Sequence, residues 1–349
     1  MSGIHRLATA TLRRIDPERA HVLALLALKA GLGPRRDRAP DPILATTLSG
    51  LALPNPVGLA AGFDKNAEVF APVLRAGFGF VECGTVTPLA QTGNPRPRIF
   101  RLTEDAAVIN RLGFNNAGLE PFAERLERRA GAGVVGANIG PNRDSPDRIA
   151  DYLRALDDLW GLCDYFTINV SSPNTAGLRE LQTGGALVEL LEALCAARIA
   201  RGGRPTPIFV KIAPDLAESE VGEIVEAAVR SGVEGLIVAN TTLARPAGLR
   251  SASRREAGGL SGAPLMAPST QILRAAWRAA AGRLALIGVG GIGGGPDAYA
   301  KIRAGANAVQ LYSALVYQGP GLVGVILADL ADRLRADGFR NVAEAVGTA

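Results

Sequence analysis

The chain has 349 residues, 48% of them hydrophobic, with 42 glycines and only 5% aromatic residues. That is enough apolar material for a large α/β core with many tight turns, and too few rings for a base-stacking nucleic-acid surface. Three scattered cysteines, Cys83, Cys163 and Cys195, fit a reducing compartment and offer neither a disulfide framework nor a metal-ligand spacing.

The only histidines are His5 and His21. Beyond residue 22 there can be no Ser-His-Asp triad, histidine metal site or histidine general base. The formal net charge of +5 sits entirely in residues 1–40, which carry eight Lys and Arg against three Asp and Glu; the rest of the chain is balanced.

Residues 1–40 predict two short helices. Ile4 to Ile15 is amphipathic, with Leu7 and Leu12 among basic residues. Asp16-Pro17-Glu18 then supplies an N-cap, a proline at the first helical position and an acidic first turn. The second helix runs to Gly31, and its apolar run Val22 to Leu28 is far short of the ~20 residues that cross a bilayer. It lacks the small-residue cleavage site of a signal peptide, and Arg35-Arg36 follow it. Such a pair either lies in a membrane interface, drawn to anionic lipid, or docks on the core with a solvated basic face. Its basic residues alternate with leucines rather than aromatics, which disfavours a nucleic-acid arm.

Residues 41–54 read as a linker and a short hairpin. From Asn55 onward an apolar strand, a polar or glycine-rich turn and an amphipathic helix recur. The strands are Val57–Ala61, Phe80–Thr85, Val134–Ile139, Tyr165–Val170, Ile208–Ile212, Gly235–Asn240, Leu284–Val289 and Ala308–Tyr312. Helices include Asp147–Leu159, Leu187–Arg201, Glu218–Ser231, Pro268–Ala281 and Pro296–Ala304. Eight parallel-type strands with crossovers predict an α/β fold, a (β/α)8 TIM barrel over residues 41–349 with residues 1–40 as a two-helix extension. The interval 86–133 is too long for one connection and predicts an inserted hairpin or lid. Ala304 to Ala328 is free of charge, but Gly319-Pro320-Gly321 breaks it, so it reads as a last strand and a separate helix.

Active sites in this fold lie at the C-terminal strand ends. The fourth strand leads into Asn169, Ser171, Ser172, Asn174 and Thr175 once Pro173 stops the ladder. This polar cluster is either a turn network or a binding site. The glycine run Gly288 to Gly295, beside Tyr312-Ser313, is either a packing turn or a cradle for a phosphorylated ligand such as FMN. Lys211, in mid-strand, is either buried against a negative partner or outward-facing with its stem along a helix. A non-redox barrel with Lys211 as a Schiff-base lysine is the rival reading.

The segments Ala61-Gly62-Phe63-Asp64-Lys65, Asn110-Arg111-Leu112-Gly113-Phe114-Asn115-Asn116, Asn169-Val170-Ser171-Ser172-Pro173-Asn174-Thr175, Val210-Lys211-Ile212-Ala213-Pro214, Asn240-Thr241-Thr242 and Gly258-Gly259-Leu260-Ser261-Gly262 follow one another in order. Together, from about Asp16 to Pro320, they resemble the class 2 dihydroorotate dehydrogenases, the membrane-associated, quinone-using branch. The cytosolic branch is similar but has a cysteine at the base position, where none of the three cysteines stands here. The resemblance implies oxidation of dihydroorotate to orotate in pyrimidine biosynthesis. Ser172 would be the base at C5, with hydride leaving C6 for the flavin and Thr175 and the region of Phe114 as the proton outlet.

FMN would be held by Ala61, Gly62, Phe63, Asp64, Lys65, Thr85, Asn138, Asn169, Lys211, Ala239, Gly262, Gly291, Tyr312 and Ser313. Substrate would be held by Lys65, Asn110, Arg111, Leu112, Gly113, Phe114, Asn169, Asn174, Asn240 and Thr241. Ala239 departs from the Thr or Ser common in the family, which would spare a backbone contact and lose a side-chain one. The N-terminal helices would form an apolar tunnel for a membrane quinone (ubiquinone or menaquinone), with His21, Arg101 and Tyr312 at its polar end. The resemblance also implies a metal-free, monomeric, peripheral protein on the anionic cytoplasmic face of the inner membrane, with no nucleic-acid partner.

Overall fold

The computed structural model describes residues 3–36, 39–129, 131, 133–182, 184–202 and 206–349. In chain order its strands are β1 (Thr46–Leu48), β2 (Leu51–Leu53), β3 (Val57–Leu59), β4 (Phe80–Val86), β5 (Ile99–Leu102), β6 (Ala107–Asn110), β7 (Val134–Ile139), β8 (Tyr165–Asn169), β9 (Ile208–Ile212), β10 (Gly235–Val238), β11 (Gly259–Gly262), β12 (Ala285–Val289) and β13 (Ala308–Leu311). Its helices are α1 (Gly3–Leu12), α2 (Pro17–Lys29), α3 (Phe70–Arg75), α4 (Leu119–Glu127), α5 (Arg148–Asp158), α6 (Gly184–Arg201), α7 (Glu218–Ser231), α8 (Met266–Ala280), α9 (Gly295–Arg303), α10 (Ser313–Gln318) and α11 (Leu322–Ala336).

Strands β3, β4, β7, β8, β9, β10, β12 and β13 close into a parallel barrel, β13 returning to β3, and helices cross over between successive strands. The TIM barrel expected from the apolar runs is therefore present. Four strands stop short of their expected ends: β8 and β13 by one residue, β3 and β10 by two. β3 leaves the ladder after Leu59 and β10 after Val238, although the Ala60 and Asn240 N–H groups still donate to Leu311 and Ile212. Both segments turn there to run over the barrel mouth.

Period-two alternation sorts the barrel residues into layers. Phe80, Tyr165 and Phe209 point inward near the strand starts and pack edge to face, with ring centroids 6.4 and 5.5 Å apart. Leu48 and Leu53 of the β1–β2 hairpin join this cluster, so the hairpin plugs the N-terminal end. Two residues further along the strands come Glu82, Asn138, Thr167, Lys211 and Gln310, all buried. The alternate residues, Val81, Cys83, Phe166, Ile168, Val210 and Ile212 among them, face outward into the main core beneath the helices.

The interval 86–133 holds the antiparallel pair β5–β6, which β11 extends to a three-stranded sheet, followed by α4. Over this sheet lie α1 and α2. Asp16 caps α2 through Oδ1, which accepts the Arg19 N–H at 2.9 Å. The first helix ends at Leu12, not Ile15, because Arg101 of β5 gathers the carbonyls of Leu12, Arg13 and Ile15 at 3.2, 3.0 and 2.7 Å. Glu18 of α2 accepts from Arg98 (2.6 and 3.1 Å) and from Arg96 (2.9 Å). The buried Arg98 in turn donates to the carbonyls of Thr92 and Asn94. The charge-free segment after residue 304 divides into β13, α10 and α11. Among the described residues no helix is long and apolar enough to cross a membrane.

Candidate active site

At the C-terminal mouth of the barrel a cavity of about 610 Å³ runs from the strand ends to the underside of α1 and α2. Its floor rests on one carboxylate. Glu82 Oε1 accepts from Asn138 Nδ2 at 2.8 Å and lies 3.5 Å from Lys211 Nζ, while Oε2 accepts from Gln310 (2.9 Å) and Thr167 (3.1 Å). A carboxylate this buried persists only when paired and hydrogen-bonded, and here both conditions are met. Lys211 is thus the buried alternative of the two weighed from sequence, with Glu82 as its negative partner. Its ammonium is already engaged, which does not suit a Schiff-base nucleophile.

Above this floor the β8 loop supplies the polar cluster. Asn169 Nδ2 donates to Thr85 Oγ1 at 2.8 Å, and Asn169 Oδ1 accepts from Ser171. Asn240 Nδ2 donates to Ser171 Oγ at 2.9 Å, and Asn174 Nδ2 to Asn110 Oδ1 at 3.2 Å. Ser172 is buried on the cavity wall, with its Oγ accepting the Asn174 N–H at 3.3 Å. Arg179 pins these loops together, donating to the carbonyls of Ser171 and Thr241 and pairing with Asp215 at 2.9 Å. Lys65 Nζ donates to the Gly62 carbonyl at 2.7 Å, and burial pushes its ammonium down to about 8. The cluster is therefore both a turn network and the lining of a cavity.

The residues present fit a planar ring with an anionic tail. Gly291 and Gly262 have φ of +81° and +99°. A Cβ on them would come within 2.3 Å of Met266 and 2.4 Å of the Ala106 carbonyl. Only glycine gives that bare wall. Gly291, Gly262 and Ser313 share one end of the cavity with Gly290, and Ser313 Oγ donates to Ser261 Oγ at 2.8 Å. On the floor, Gln310 Oε1 is a buried acceptor with no partner among the described residues, as a ring N–H would require.

The outer part of the cavity is apolar, lined by Ala8, Leu12, Ala20, Ala24, Ala27 and Leu28 of the two helices. His21 meets Phe63 edge-on at 5.3 Å, and Phe63 meets Tyr312 at 5.6 Å. Burial pushes His21 down to about 3 and Tyr312 up to about 12, so both are neutral near pH 7. Arg101 lines the same region, and its Nε is buried without a partner among the described residues.

Of the site residues expected from sequence, three do not line the cavity. Asp64 turns away, its carboxylate accepting the Glu68 and Val69 N–H groups at 2.7 Å each. Arg111 pairs with Glu256 at 2.9 Å and stacks over Phe100. Asn138 lies within the floor, its amide taken up between Glu82 and Thr85. The other expected residues, from Ala61 and Gly62 to Tyr312 and Ser313 and including Ser172, His21 and Arg101, all line it. Glu82, Gln310, Ser261 and Arg179 were missed. A charged residue two places after Phe80 in an otherwise apolar strand was the available signal for Glu82.

The family model described as dihydroorotate dehydrogenase matches residues 43–334. The dihydroorotate dehydrogenase (quinone) of Cereibacter sphaeroides is 54% identical over 349 residues, covering 100% of this chain and 98% of that protein. That of Parvibaculum lavamentivorans is 55% identical over 343 residues, covering 98% and 97%. The crystal structure of the Eimeria tenella enzyme in complex with ferulenol superposes with a TM-score of 0.92 at 42% identity, covering 95% of each chain.

Proposed function

The chain belongs to the dihydroorotate dehydrogenase family, and from that premise we infer that it oxidises dihydroorotate to orotate in pyrimidine biosynthesis, passing the electrons to a quinone. The observation that carries this reading is the continuity of one cavity. Ser172 and four asparagines stand at its inner end, and an apolar helix pair walls its outer end.

We assign the site to flavin mononucleotide. Ala61, Gly62, Thr85, Asn169, Lys211 and Gln310 would border the ring, and Gly262, Gly291 and Ser313 the phosphate, with Asn138 supporting from below. When bound, the flavin supplies the two-electron acceptor that removes hydride from the substrate. The protein's part is to hold substrate and move a proton. Asn110, Asn174 and Asn240 present amides that can orient a planar ring bearing amide and carboxylate groups. Lys65 supplies positive charge for the carboxylate.

Ser172 is the base. A hydroxyl accepts a proton only while it passes its own onward, and the buried Thr175 and the wall at Phe114 mark the outlet. Burial of Ser172 keeps bulk water from competing for the position.

For the second half-reaction the quinone enters between α1 and α2. The orphaned Arg101 Nε and the neutral His21 imidazole are groups suited to its carbonyl oxygens. Leu7, Val22, Leu23, Leu26 and Leu32 are exposed on this extension, among Arg13, Arg14 and Arg19. We therefore place the helix pair, and the segment 1–40, on the anionic cytoplasmic face of the inner membrane as a peripheral anchor to a monomeric enzyme. The test is anaerobic. Purified protein should show a flavin spectrum that dihydroorotate bleaches and a long-chain quinone restores. A colourless protein that takes up no flavin would refute the assignment.

A further inference from the structure

Behind the glycine turn of β12 lies a lysine with no part in the chemistry above. Lys301 of α9 has no exposed surface, and its Nζ donates to Ser269 Oγ at 2.5 Å. Ser269, equally buried in α8, lies 2.6 Å from the Leu265 carbonyl and 3.1 Å from that of Gly290. Gly290 and Gly291 form the cavity wall on the other side of this contact. An ammonium among packed helices is costly without a counter-ion, and a methionine would fill the same space free of that penalty. At this end of the cavity the lining residues Gly262, Ala263, Leu265, Gly290, Gly291 and Ser313 carry no positive charge.

Resting on the flavin mononucleotide reading, we propose that Lys301 is the buried counter-charge for the cofactor phosphate, acting from behind the Gly290–Gly291 turn. Burial pushes its ammonium down to about 7, so near neutrality the flavin-free site is shared between amine and ammonium. A phosphate dianion on the far side of the turn favours the charged form. The charged groups around Lys301 are Asp297 on its own helix and Arg274 on α8. The Asp329–Arg333 pair of α11 stands against Gly295. Glu344, held by Arg340, lies on the segment after α11, while β12 has no charged residue. Binding the phosphate then takes up a proton at Lys301, and affinity for it declines as pH rises above the neutral range.

Full-length protein freed of flavin is titrated with FMN and with riboflavin by fluorescence from about pH 7 to about pH 9, above the phosphate's own ionisation near 6. The two ligands share one ring, so contributions from Lys65, Lys211 and the ring itself cancel in the ratio of affinities. The FMN preference should fall roughly tenfold across this range, the effect of about one pKa unit. In Lys301→Met it should already be lower by that factor at the acid end and flat thereafter. Ser269→Ala keeps the charge and should keep the pH-dependent preference.

A preference that does not change with pH in the parent protein overturns the proposal. So does one that is the same in Lys301→Met as in the parent, or one lost equally in Ser269→Ala, which would make the pair mere scaffolding. Failure of both flavins to bind the parent protein is a different result, and it removes the flavin reading and this proposal together.

Discussion

Replacing Glu82 tests how the floor of the site is held. Its carboxylate has no exposed surface and serves Lys211, Asn138, Gln310 and Thr167 together. Glu82→Ala leaves the Lys211 ammonium buried and unpaired, a loss of about 3–5 kcal/mol. Each stranded donor adds about 1–3 kcal/mol where no water or neighbour replaces the acceptor. Against a total stability of roughly 5–15 kcal/mol, that is enough to unfold much of the population.

Glu82→Gln keeps the shape but turns an NH2 towards donors, and about half the Ala effect is expected. The pair Glu82→Gln/Lys211→Met should be less destabilised than the sum of its singles by about 2 kcal/mol, since each single strands a charge that the double removes. Urea titrations followed by tryptophan fluorescence measure the parent and all of these variants. A Glu82→Ala variant within about 1 kcal/mol of the parent would refute this account of the floor.

Two further outcomes follow from the site. Ser172→Ala should keep flavin bound while the bleaching rate with dihydroorotate at neutral pH drops by about 10²–10⁴-fold; near-parental stopped-flow rates would remove Ser172 from the role. His21, held down to about 3 by burial, titrates near 6.5 when unfolded. Its contribution to stability is complete above that value and is lost progressively as pH falls towards 3. Melting temperatures of His21→Phe should therefore fall less steeply than the parent's between about pH 6.5 and pH 4, and parallel curves would show that His21 does not carry this loss.

The barrel was legible because each strand is an apolar run closed by a turn, a local signal. Ser172, Asn174 and Lys65 were legible for the same reason: the motifs that present them are contiguous. Glu82 was not, because the partner that explains it, Lys211, is far along the chain and meets it only when β4 and β9 face each other across a closed barrel. The sequence left Lys211 either buried against a negative partner or outward-facing, and nothing local pointed to Glu82. Lys301 reads as an ordinary helical lysine until α8 packs over it. β11, four residues of which three are glycine or serine, has no strand signature and owes its form to pairing with β6. Asp64 and Arg111 misled because they sit inside recognisable motifs whose neighbours, not they, face the cavity.

The Glu18–Arg98 joint ties together two regions that chemistry would let be separate. Arg98 holds the Asn94 carbonyl, and Asn94 Nδ2 reaches the carbonyls of Arg111 (3.0 Å) and Asn174 (3.2 Å). A displacement of α2 is thereby handed, through a guanidinium and an amide, to the Arg111 and Asn174 segments beside the cavity. The helix pair and the polar wall of the cavity form one mechanical train, so trimming the helices away would also slacken that wall.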